Sequence, residues 1–433
     1  MVVYENVLCP VCGCLCDDIE VTVEENKIVK VKNACAVGAS KFLNYYKERN
    51  TTPLIRKDGV LKPVELDEAI NKVAEILVNA DYPLIYGWSL CSSEAIKVGI
   101  ELAEEVGGVI DNQSSVCHAP GIQALHDIGV LSCTLGEVKH RADLIIYWGC
   151  NPEDAHPRHL TRYSFSSKGR FAKDPSERKM IVVDVRNTST AKKANTFILI
   201  EQGADFEFIS ALRAALKFEE IEEERVAGVP VEQIEEFAEV LRSCKFGVIF
   251  FGQGLTQSPG KSRNIEAAIA LVRDLNDYTK FALIPIRGHY NVAGANEVTA
   301  WQTGFPYGVD FSKGYPWYNP GETTAVDILR RGESDAALVV GSDPLAHFPR
   351  EAAEHLAANP LAVIDPDISM TAMAADVVIP SAFTGIEVAG TAYRMDRVAL
   401  LVKKVVEPPK GVLSDEEILR MILKKVRSLK GVS

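Results

Sequence analysis

The stretch Asp143-Leu-Ile-Ile-Tyr-Trp148 runs directly into Gly149-Cys150-Asn151-Pro152, and the pattern returns as Ala336-Ala-Leu-Val-Val340 followed by Gly341-Ser342-Asp343-Pro344. A short apolar run without alternation is typical of a strand buried on both faces of a parallel sheet. A tight turn at the carboxyl end of such a strand leaves backbone N–H groups free to bind phosphate. Similar runs separated by helical segments follow along the chain, so the sequence predicts an α/β fold with Rossmann-like sheets.

The repeat extends beyond the two turns. Each turn is followed by a further apolar run that ends in aspartate, at Asp184 and at Asp365, and from there the register continues without gaps, so that Thr190 matches Thr371. An aspartate after the next strand can reach a ribose or a base. A single Gly-x-Asn/Asp-Pro is explained by turn chemistry alone, but two copies in matched register favour two similar nucleotide sites. A glycine-rich loop at 252–260, after the apolar run at 246–251, strengthens this interpretation.

The cysteines are concentrated at the start of the chain. Ten are present, and five of them, Cys9, Cys12, Cys14, Cys16 and Cys35, lie in the first thirty-five residues. Three cysteines in one tight loop and a fourth at a distance suit a [4Fe-4S] cluster. Zinc is the alternative, but structural zinc usually takes two Cys-x2-4-Cys pairs, and the last cysteine stands alone. The remaining member of the set, Cys14, is interpreted as a packed thiol rather than a ligand.

Composition excludes several classes of protein. The 433 residues, with 47% apolar and 24% charged side chains, indicate two to four domains or one large α/β body. A formal charge of −12 argues against binding to nucleic acid, which requires clustered Lys and Arg. The N-terminus has neither a basic nor an apolar signal region, and no run is long enough to span a membrane. The sequence therefore predicts a cytoplasmic protein.

Two further short segments carry candidate chemistry. Cys117 and His118 are adjacent, and adjacent side chains diverge, so they cannot readily form a nucleophile and base pair. A thiolate is nevertheless a good soft-metal ligand. Arg287 follows an apolar strand and precedes a glycine, a position that suits an anion-binding role. The pair His156 and His159 is interpreted as part of the first turn and not as a metal site.

Together, these motifs resemble the molybdopterin oxidoreductase family, which contains the formate dehydrogenases. The resemblance rests on the cysteine set, Cys117-His118, the duplicated turns, the loop at 252–260, Arg287 and the segment Gly390–Arg397, and it extends from Cys9 to about Val398. It implies a molybdopterin oxidoreductase fold with two Rossmann-like parallel-sheet domains and a small N-terminal iron-sulfur domain. It also implies a tungsten or molybdenum bis(pyranopterin guanine dinucleotide) cofactor and one [4Fe-4S] cluster.

The resemblance assigns roles to individual residues. Cys9, Cys12, Cys16 and Cys35 would bind the cluster, and Cys117 would bind the tungsten or molybdenum. His118 and Arg287 would line the substrate face as catalytic residues. The residues expected to bind the two dinucleotides are Gly149, Asn151, Pro152, Asp184, Arg186, Thr188, Gly203, Asp205, Gly252, Gly254, Gly341, Asp343, Asp365, Thr371 and Arg394. Many formate dehydrogenases carry a lysine two residues after the fourth cluster cysteine, but Val37 stands there, so no residue is assigned to bridge cluster and pterin.

The predicted domains follow the same resemblance. Residues 1–55 would form the cluster domain, residues 56–139 with 325–433 a discontinuous first pterin-binding domain, and residues 140–290 the second. Residues 291–324 would connect them. The chain stops soon after Arg397, so it is expected to lack the C-terminal β-barrel domain of the formate dehydrogenases and to belong to a branch of short chains within the family.

In that branch the implied reaction is reversible reduction of CO2 to formate, fed by a ferredoxin-type donor. Formate then passes to a metallohydrolase sister subunit, which condenses it with methanofuran in methanogenesis. The expected partners are that subunit, a polyferredoxin-type subunit and a small subunit that supplies the missing domain. Two alternatives remain: a partnered formate dehydrogenase with the same chemistry, and a non-catalytic structural homologue in a larger complex. The presence of all the candidate site residues favours the enzyme.

Overall fold

A computed structural model of the chain describes residues 1–47 and 49–431. The chain divides into two compact units, one formed by Met1–Val116 and His289–Ser433 and the other by Cys117–Gly288. The chain thus leaves the first unit once, completes the second, and returns. Among the residues described, no helix is both long enough and apolar enough to cross a bilayer.

The unit Cys117–Gly288 contains a five-stranded, fully parallel sheet. Its strands, in chain order, are Leu144–Trp148, Lys179–Asp184, Thr196–Leu199, Phe246–Phe251 and Lys280–Pro285. Their spatial order is 3-2-1-4-5, which matches the first five strands of the six-stranded Rossmann order 3-2-1-4-5-6. The direction of winding therefore reverses between the first and fourth strands, and ligands of open α/β sheets bind in the crevice at that point.

Helices cover this sheet because its strands are apolar on both faces. They are Ala119–Ile128, Leu135–Arg141, Pro152–Ala155, His159–Arg162, Asp205–Leu216, Val231–Ser243, Gln253–Thr256 and Ser262–Leu275, with 3-10 turns at Pro175–Glu177 and Ala191–Lys193 and a short ribbon of Arg225–Val226 with Val229–Pro230. One apolar core joins the strands to five of these helices, Ala119–Ile128, Asp205–Leu216, Val231–Ser243, Gln253–Thr256 and Ser262–Leu275, and includes Trp148, Phe208 and Phe251. The candidate residues lie at the carboxyl ends of these strands, so the core fixes the strands from which they project.

The unit Met1–Val116 with His289–Ser433 is built on a nine-stranded sheet. In spatial order its strands are Trp317–Tyr318, Val309–Asp310, Val109–Asn112, Pro83–Gly87, Ala336–Val340, Leu361–Ile364, Val377–Ile379, Leu54–Lys57 and Val60–Pro63. The five central strands are parallel, and the two strands at each edge pair antiparallel. The order of the central strands reverses between Pro83–Gly87 and Ala336–Val340, which makes the turn at Gly341 part of this unit's own switch point.

The other elements of this unit are helices and two small antiparallel sheets. The helices are Ala36–Asn44, Leu66–Asn79, Ser93–Val106, Val292–Thr303, Ala325–Arg330, Arg350–Ala358, Met370–Ala374 and Asp415–Lys430, with 3-10 turns at Gln113–Val116 and Pro344–Ala346. One small sheet consists of Val2–Val7, Ile19–Glu24 and Lys27–Lys32, and the other is the hairpin of Gly390–Tyr393 and Ala399–Val402. The second and third strands of the first sheet pair as a hairpin.

The five strands of the second unit's sheet and the five central strands of the first unit's sheet have equivalent positions. The order in which the chain visits these positions differs between the units. In the second unit the order is Thr196–Leu199, Lys179–Asp184, Leu144–Trp148, Phe246–Phe251 and Lys280–Pro285. In the first unit the corresponding strands are Val377–Ile379, Leu361–Ile364, Ala336–Val340, Pro83–Gly87 and Val109–Asn112. The repeat seen in the sequence covers only the first three positions. The other two precede the repeat in one unit and follow it in the other, which is a circular permutation.

The observed units differ from the predicted domain boundaries at 139/140. Residues 117–139 lie in the second unit, because Ala124 on helix Ala119–Ile128 packs into that unit's core. Residues 1–55 are not a separate unit. Leu8 and Leu15 from this segment share a core with Tyr290, Ala392 and Val402.

The segment 291–324 is more than the connection that the sequence predicts. Its first part forms the helix Val292–Thr303, and two short strands after it extend the nine-stranded sheet at one edge. Ala295, Val298 and Val309 are buried in the main core of their unit. The segment therefore belongs to that unit's structure.

Replacement of Gly149 by alanine should destabilise the protein far more than the matched replacement Gly341→Ala. Both glycines adopt a left-handed φ, of 56° and 57°, which costs other residues about 1–2 kcal/mol. A Cβ at Gly149 would also lie 2.8 Å from the backbone nitrogen of Leu255, whereas at Gly341 the nearest atom is the Cys91 Sγ at 3.3 Å. Urea unfolding measures the difference, and equal losses of unfolding free energy in the two variants would contradict this packing.

Candidate functional site

The two predicted glycine turns of the second unit pack directly against each other. Gly252 N donates to Trp148 O at 3.1 Å, and Gly254 N donates to Gly149 O at 2.9 Å. A Cβ at Gly252 would lie 2.5 Å from Cys150 Cβ and 2.7 Å from Gly149 O, and a Cβ at Gly254 would lie 2.6 Å from Gly149 Cα. These glycines therefore allow two backbone segments to meet at the switch point, with no side chain between them.

A single hydrogen-bonding pattern organises the repeated turn in each unit. Asn151 Oδ1 accepts hydrogen bonds from Thr190 N at 3.1 Å and Thr190 Oγ1 at 2.6 Å. Asp343 Oδ1 accepts from Thr371 N at 2.9 Å and Thr371 Oγ1 at 2.6 Å. The threonine oxygen in turn accepts a backbone N–H, from Glu153 in one unit and Leu345 in the other. The match of Thr190 with Thr371 is thus a match of hydrogen bonds as well as of sequence.

The two aspartates at the ends of the second strands are also equivalent. Asp184 Oδ1 accepts from the backbone N–H two residues on, at Arg186, and Asp365 Oδ1 accepts from Asp367 N. Burial raises the pKa of both carboxyl groups, and that of Asp365 reaches about 7. In each unit a partly desolvated carboxyl group therefore lies near the turn, where it can receive a further hydrogen bond.

The other candidate nucleotide-binding residues have varied surroundings. Pro152 begins a short helix, and Thr188 Oγ1 accepts Ala191 N at 3.1 Å. Asp205 is buried and accepts Trp148 Nε1 at 2.9 Å. Arg394 pairs with Asp396 through two hydrogen bonds of 2.8 Å.

The two remaining candidates lie beside the loops of the second unit. Arg186 is exposed. Gly203, with φ of 84°, leaves room for Pro259, whose Cγ would lie 3.2 Å from a Cβ at that position.

The sequence did not indicate the residue that shapes the glycine-rich loop. Asn264, buried in the helix Ser262–Leu275, donates from Nδ2 to Pro259 O at 2.8 Å and Ser258 Oγ at 2.9 Å. It also reaches Leu255 O at 3.3 Å. One amide thus holds three points of the loop, and only the three-dimensional structure shows this.

Cys117 and His118 are the first two residues of the second unit and directly precede the helix Ala119–Ile128. The backbone oxygen of Cys117 accepts hydrogen bonds from Thr256 Oγ1 at 3.0 Å and Gln257 Nε2 at 2.7 Å, which ties it to the glycine-rich loop. The His118 ring is buried, lies edge-on to Phe251, and bonds through Nε2 to Ile286 O at 3.0 Å. The backbone of the proposed ligand is therefore fixed, while Cys117 itself remains partly exposed.

Arg287 lies near His118 in the same unit and is 4% exposed. Burial, together with the positive charge of Arg287, lowers the pKa of His118 to about 3. His118 is therefore neutral at physiological pH. His156, which the sequence assigns only to the turn, bonds through Nε2 to Arg287 O at 2.8 Å. The structure thus brings His118 and Arg287 together beside Cys117 and adds His156 to them.

His156 and His159 have different hydrogen-bond partners. The Nδ1 atom of His159 lies 3.0 Å from Tyr147 Oη and 3.3 Å from Ser164 Oγ, inside the core. Burial lowers the pKa of His159 to about 3. The two rings of this pair thus make their hydrogen bonds to different parts of the unit.

The four predicted cluster cysteines are neighbours in the first unit. Cys9 N donates to Cys16 O at 2.9 Å, which closes the loop, and Cys35 caps the helix Ala36–Asn44 through Gly38 N. A Cβ at Gly38 would lie 3.0 Å from Cys9 Sγ and 3.7 Å from Cys35 Sγ. Burial and the nearby thiols of Cys16, Cys12 and Cys35 raise the pKa of Cys9. The lack of a side chain at Gly38 leaves room for two of these sulfurs.

Cys14, the fifth cysteine of the set, is buried and hydrogen-bonds to Cys12. This bond, followed by burial, raises the pKa of Cys14, and it lowers that of Cys12. Across residues 1–47 and 49–431, no three His, Cys, Asp or Glu side chains are arranged to bind a single metal ion.

Comparison with known proteins identifies the family. The model of the molybdopterin oxidoreductase family matches residues 49–425. The chain belongs to the molybdopterin oxidoreductase family. The resemblance inferred from the motifs is confirmed, as are the α/β molybdopterin oxidoreductase fold and the assignment as an oxidoreductase.

The chain is similar along its whole length to two members of this family. It is 52% identical over 431 residues to the B subunit of tungsten-containing formylmethanofuran dehydrogenase 2 from Methanocaldococcus jannaschii, covering 99% of both chains. The corresponding protein of Methanococcus maripaludis is 49% identical over 434 residues, covering 99% of this chain and all of that one.

A solved structure shares the fold. The chain resembles one chain of the formyltransferase/hydrolase complex of Methylorubrum extorquens, solved with methylofuran, with a TM-score of 0.70. The match covers 86% of this chain and 98% of the other at 23% identity. At this identity the likeness concerns the fold alone.

The buried neutral state of His159 should make the stability of the protein depend on pH. The unfolded chain binds a proton at this imidazole below about pH 6.5, and the folded chain binds it only near pH 3. His159 therefore costs about 2 kcal/mol of unfolding free energy at pH 5. In His159→Gln this cost is absent, so the stability gap to wild type should shrink by about 2 kcal/mol between about pH 7.5 and 5.0. Urea unfolding at both values measures it, and a constant gap would contradict the assignment.

Proposed function

We propose that this chain is the catalytic subunit of a formylmethanofuran dehydrogenase, which reduces CO2 reversibly to formate. Formate then passes to a sister subunit for condensation with methanofuran. The observation that carries the proposal is the arrangement of Cys117, His118 and Arg287, in which a thiol, a neutral imidazole and a guanidinium occur in one unit. The near-full-length similarity to two such subunits supports it.

The residues present fit a tungsten or molybdenum bis(pyranopterin guanine dinucleotide). Each unit has a Rossmann-like switch point with an equivalent glycine turn and a partly desolvated aspartate. Next to Arg287, Gly288 is exposed and a Cβ there would meet nothing within 4 Å, so the backbone beside Arg287 is accessible from solvent. His118 Nδ1 is buried without a hydrogen-bond partner among the described residues. The turns at Gly149 and Gly341 would each hold one dinucleotide, and Cys117 would ligate the metal.

The chain's own residues would bind the substrate and handle the proton. Reduction consumes CO2, two electrons and one proton and yields formate. When bound, the metal and pterin group supplies the two-electron redox couple. Arg287 would hold the developing carboxylate, because a guanidinium offers paired donors to a carboxylate. His118 donates from Nε2 to Ile286 O, which leaves Nδ1 as the atom that can take a proton during formate oxidation.

The N-terminal cysteines would deliver the electrons. Cys9, Cys12, Cys16 and Cys35 would each ligate one iron of a [4Fe-4S] cluster, fed singly by a ferredoxin-type donor. Their mutual proximity, with Gly38 leaving space beside two sulfurs, supports a shared site for these four cysteines. Cys14 would not ligate iron but would hydrogen-bond to the sulfur of the ligand Cys12.

The proposal includes a cytoplasmic complex of several subunits. A metallohydrolase subunit would receive the formate, and a polyferredoxin-type subunit would supply electrons. A small subunit would be the third partner. The part of the chain at 1–55 would serve as the cluster-binding region within the first unit.

Two alternatives give different results in the assembled complex. A partnered formate dehydrogenase would oxidise formate with a viologen dye but would not require methanofuran for CO2 fixation. A non-catalytic homologue would show neither reaction. This alternative is tested because the chain shares its fold with a chain of the formyltransferase/hydrolase complex.

Replacement of Cys117 by alanine should abolish the reaction. In anaerobically purified complex, formate oxidation with a viologen dye should fall more than about 100-fold, because loss of even an outer partner of a metal ligand costs about 10- to 100-fold. Tungsten or molybdenum should be lost or weakly held, while iron should stay at about four per chain. Cys244→Ala is the control, since this half-buried thiol bonds to Leu241 O at the end of its own helix. Retained metal with full activity in the Cys117 variant would refute the site.

A further inference from the structure

The backbone beyond the strand Lys280–Pro285 is held by two histidine side chains. Ile286 N still donates to Phe251 O at 2.8 Å, as a continuation of the sheet. The carbonyl groups that follow turn to imidazoles: Ile286 O accepts from His118 Nε2 at 3.0 Å, and Arg287 O accepts from His156 Nε2 at 2.8 Å. Buried carbonyl groups need such partners. Beyond the end of the strand, the two imidazoles therefore supply the donors that a neighbouring strand would supply within the sheet.

The hydrogen bonds fix the tautomer of both rings. A carbonyl oxygen only accepts, so Nε2 carries the proton in His118 and in His156. His118 and His156 are 3% and 2% exposed. Burial lowers the pKa of His156, as it does that of His118, so both rings are neutral donors at physiological pH. A neutral donor holds a carbonyl without adding a second charge beside Arg287.

We propose that His156 is a positioning residue for Arg287. By holding Arg287 O, it fixes the backbone from which the guanidinium projects toward the substrate. This inference rests on the proposed function, in which Arg287 binds the carboxylate of formate.

The neighbourhood of Arg287 explains why a second support is required. On the carboxyl side, Gly288 is exposed, and a side chain there would meet nothing within 4 Å. On the amino side, Ile286 N donates to Phe251 O and Ile286 O accepts from His118 Nε2, so the backbone is held as far as Ile286. The peptide unit between Arg287 and Gly288 is held at its oxygen by His156, and loss of that bond would let the backbone at Arg287 shift together with its side chain. A displacement of about 1 Å is enough to cost about 100-fold in a positioned reaction.

His159 provides a matched control. It lies three residues further along, is fully buried and neutral, and bonds to Tyr147 Oη and Ser164 Oγ. These partners belong to the core of the unit and not to the segment that carries Ile286 and Arg287. A general loss of packing around the first turn would therefore appear equally in variants of His156 and of His159, whereas loss of positioning would appear only in variants of His156.

The test uses the complete complex, purified anaerobically and loaded with metal. His156→Met removes the donor at similar side-chain length, and His156→Gln restores an N–H donor that can reach the same carbonyl. His159→Gln is the control, and Arg287→Met is measured alongside. The measurements are metal content, kcat and KM for formate with a viologen dye, and competitive inhibition by nitrate, a planar anion of similar charge.

The inference predicts that His156→Met keeps its metal but raises the KM for formate and the nitrate inhibition constant about tenfold or more, with a smaller change in kcat. His156→Gln should recover most of this loss, and His159→Gln should leave both constants unchanged. If His156→Met does not assemble, His156→Asn takes its place, because its shorter amide does not reach the carbonyl.

Equal changes in the His156 and His159 variants, or no rescue by glutamine, would overturn the inference. The Arg287 variant separates this failure from failure of the proposed function. If Arg287→Met raises both constants and His156→Met does not, only the positioning role is wrong. If Arg287→Met leaves formate and nitrate binding unchanged, the carboxylate-binding role of Arg287 is itself wrong.

Discussion

The repeated turn of each unit depends on one side-chain acceptor, which is Asn151 in the second unit and Asp343 in the first. The side-chain oxygen of Asn151 or Asp343 receives two hydrogen bonds from the threonine that follows the next strand. This contact ties the turn after one parallel strand to the loop after its neighbour. The preceding glycine, at φ of 56° or 57°, gives the backbone the direction that the contact requires. Amide and carboxylate serve equally, because only an acceptor is required.

The second constraint is desolvation around Arg287. The cation is buried near two imidazoles that remain neutral, because burial disfavours their protonated forms and the arginine's own charge adds to this at His118. An anion entering beside Arg287 would therefore meet the charge of the guanidinium in a region of low polarity, where an electrostatic contact is stronger than in water. The same two histidines carry no charge and donate hydrogen bonds to the carbonyl oxygens of Ile286 and Arg287. They therefore fix the backbone at Arg287 without adding positive charge beside it.

The sequence predicted the parts of the fold that are coded locally. The strands Phe246–Phe251 and Ala336–Val340 have the predicted limits, because each is a continuous apolar run bounded by polar residues or glycine. The circular permutation was not visible, since Pro83–Gly87 and Phe246–Phe251 share position in the sheet but no motif. The unit boundary at residue 117 was missed because the chain crosses it without any change in composition. In the candidate site, Cys117-His118 and the repeated turns were recognisable because their signal lies within a few positions.

The contact of His156 with Arg287 joins residues 131 positions apart through a backbone oxygen, which leaves no trace in residue type. Asn264 likewise resembles any polar residue in a helix, although it holds three points of the glycine-rich loop. We propose that each of the two equivalent turns binds one guanine nucleotide cofactor. Acid release of nucleotides from the anaerobically purified complex, combined with metal analysis, measures how many are bound. Two guanine nucleotides are expected for each tungsten or molybdenum atom, and a ratio of one, or metal without guanine nucleotide, would refute the proposal.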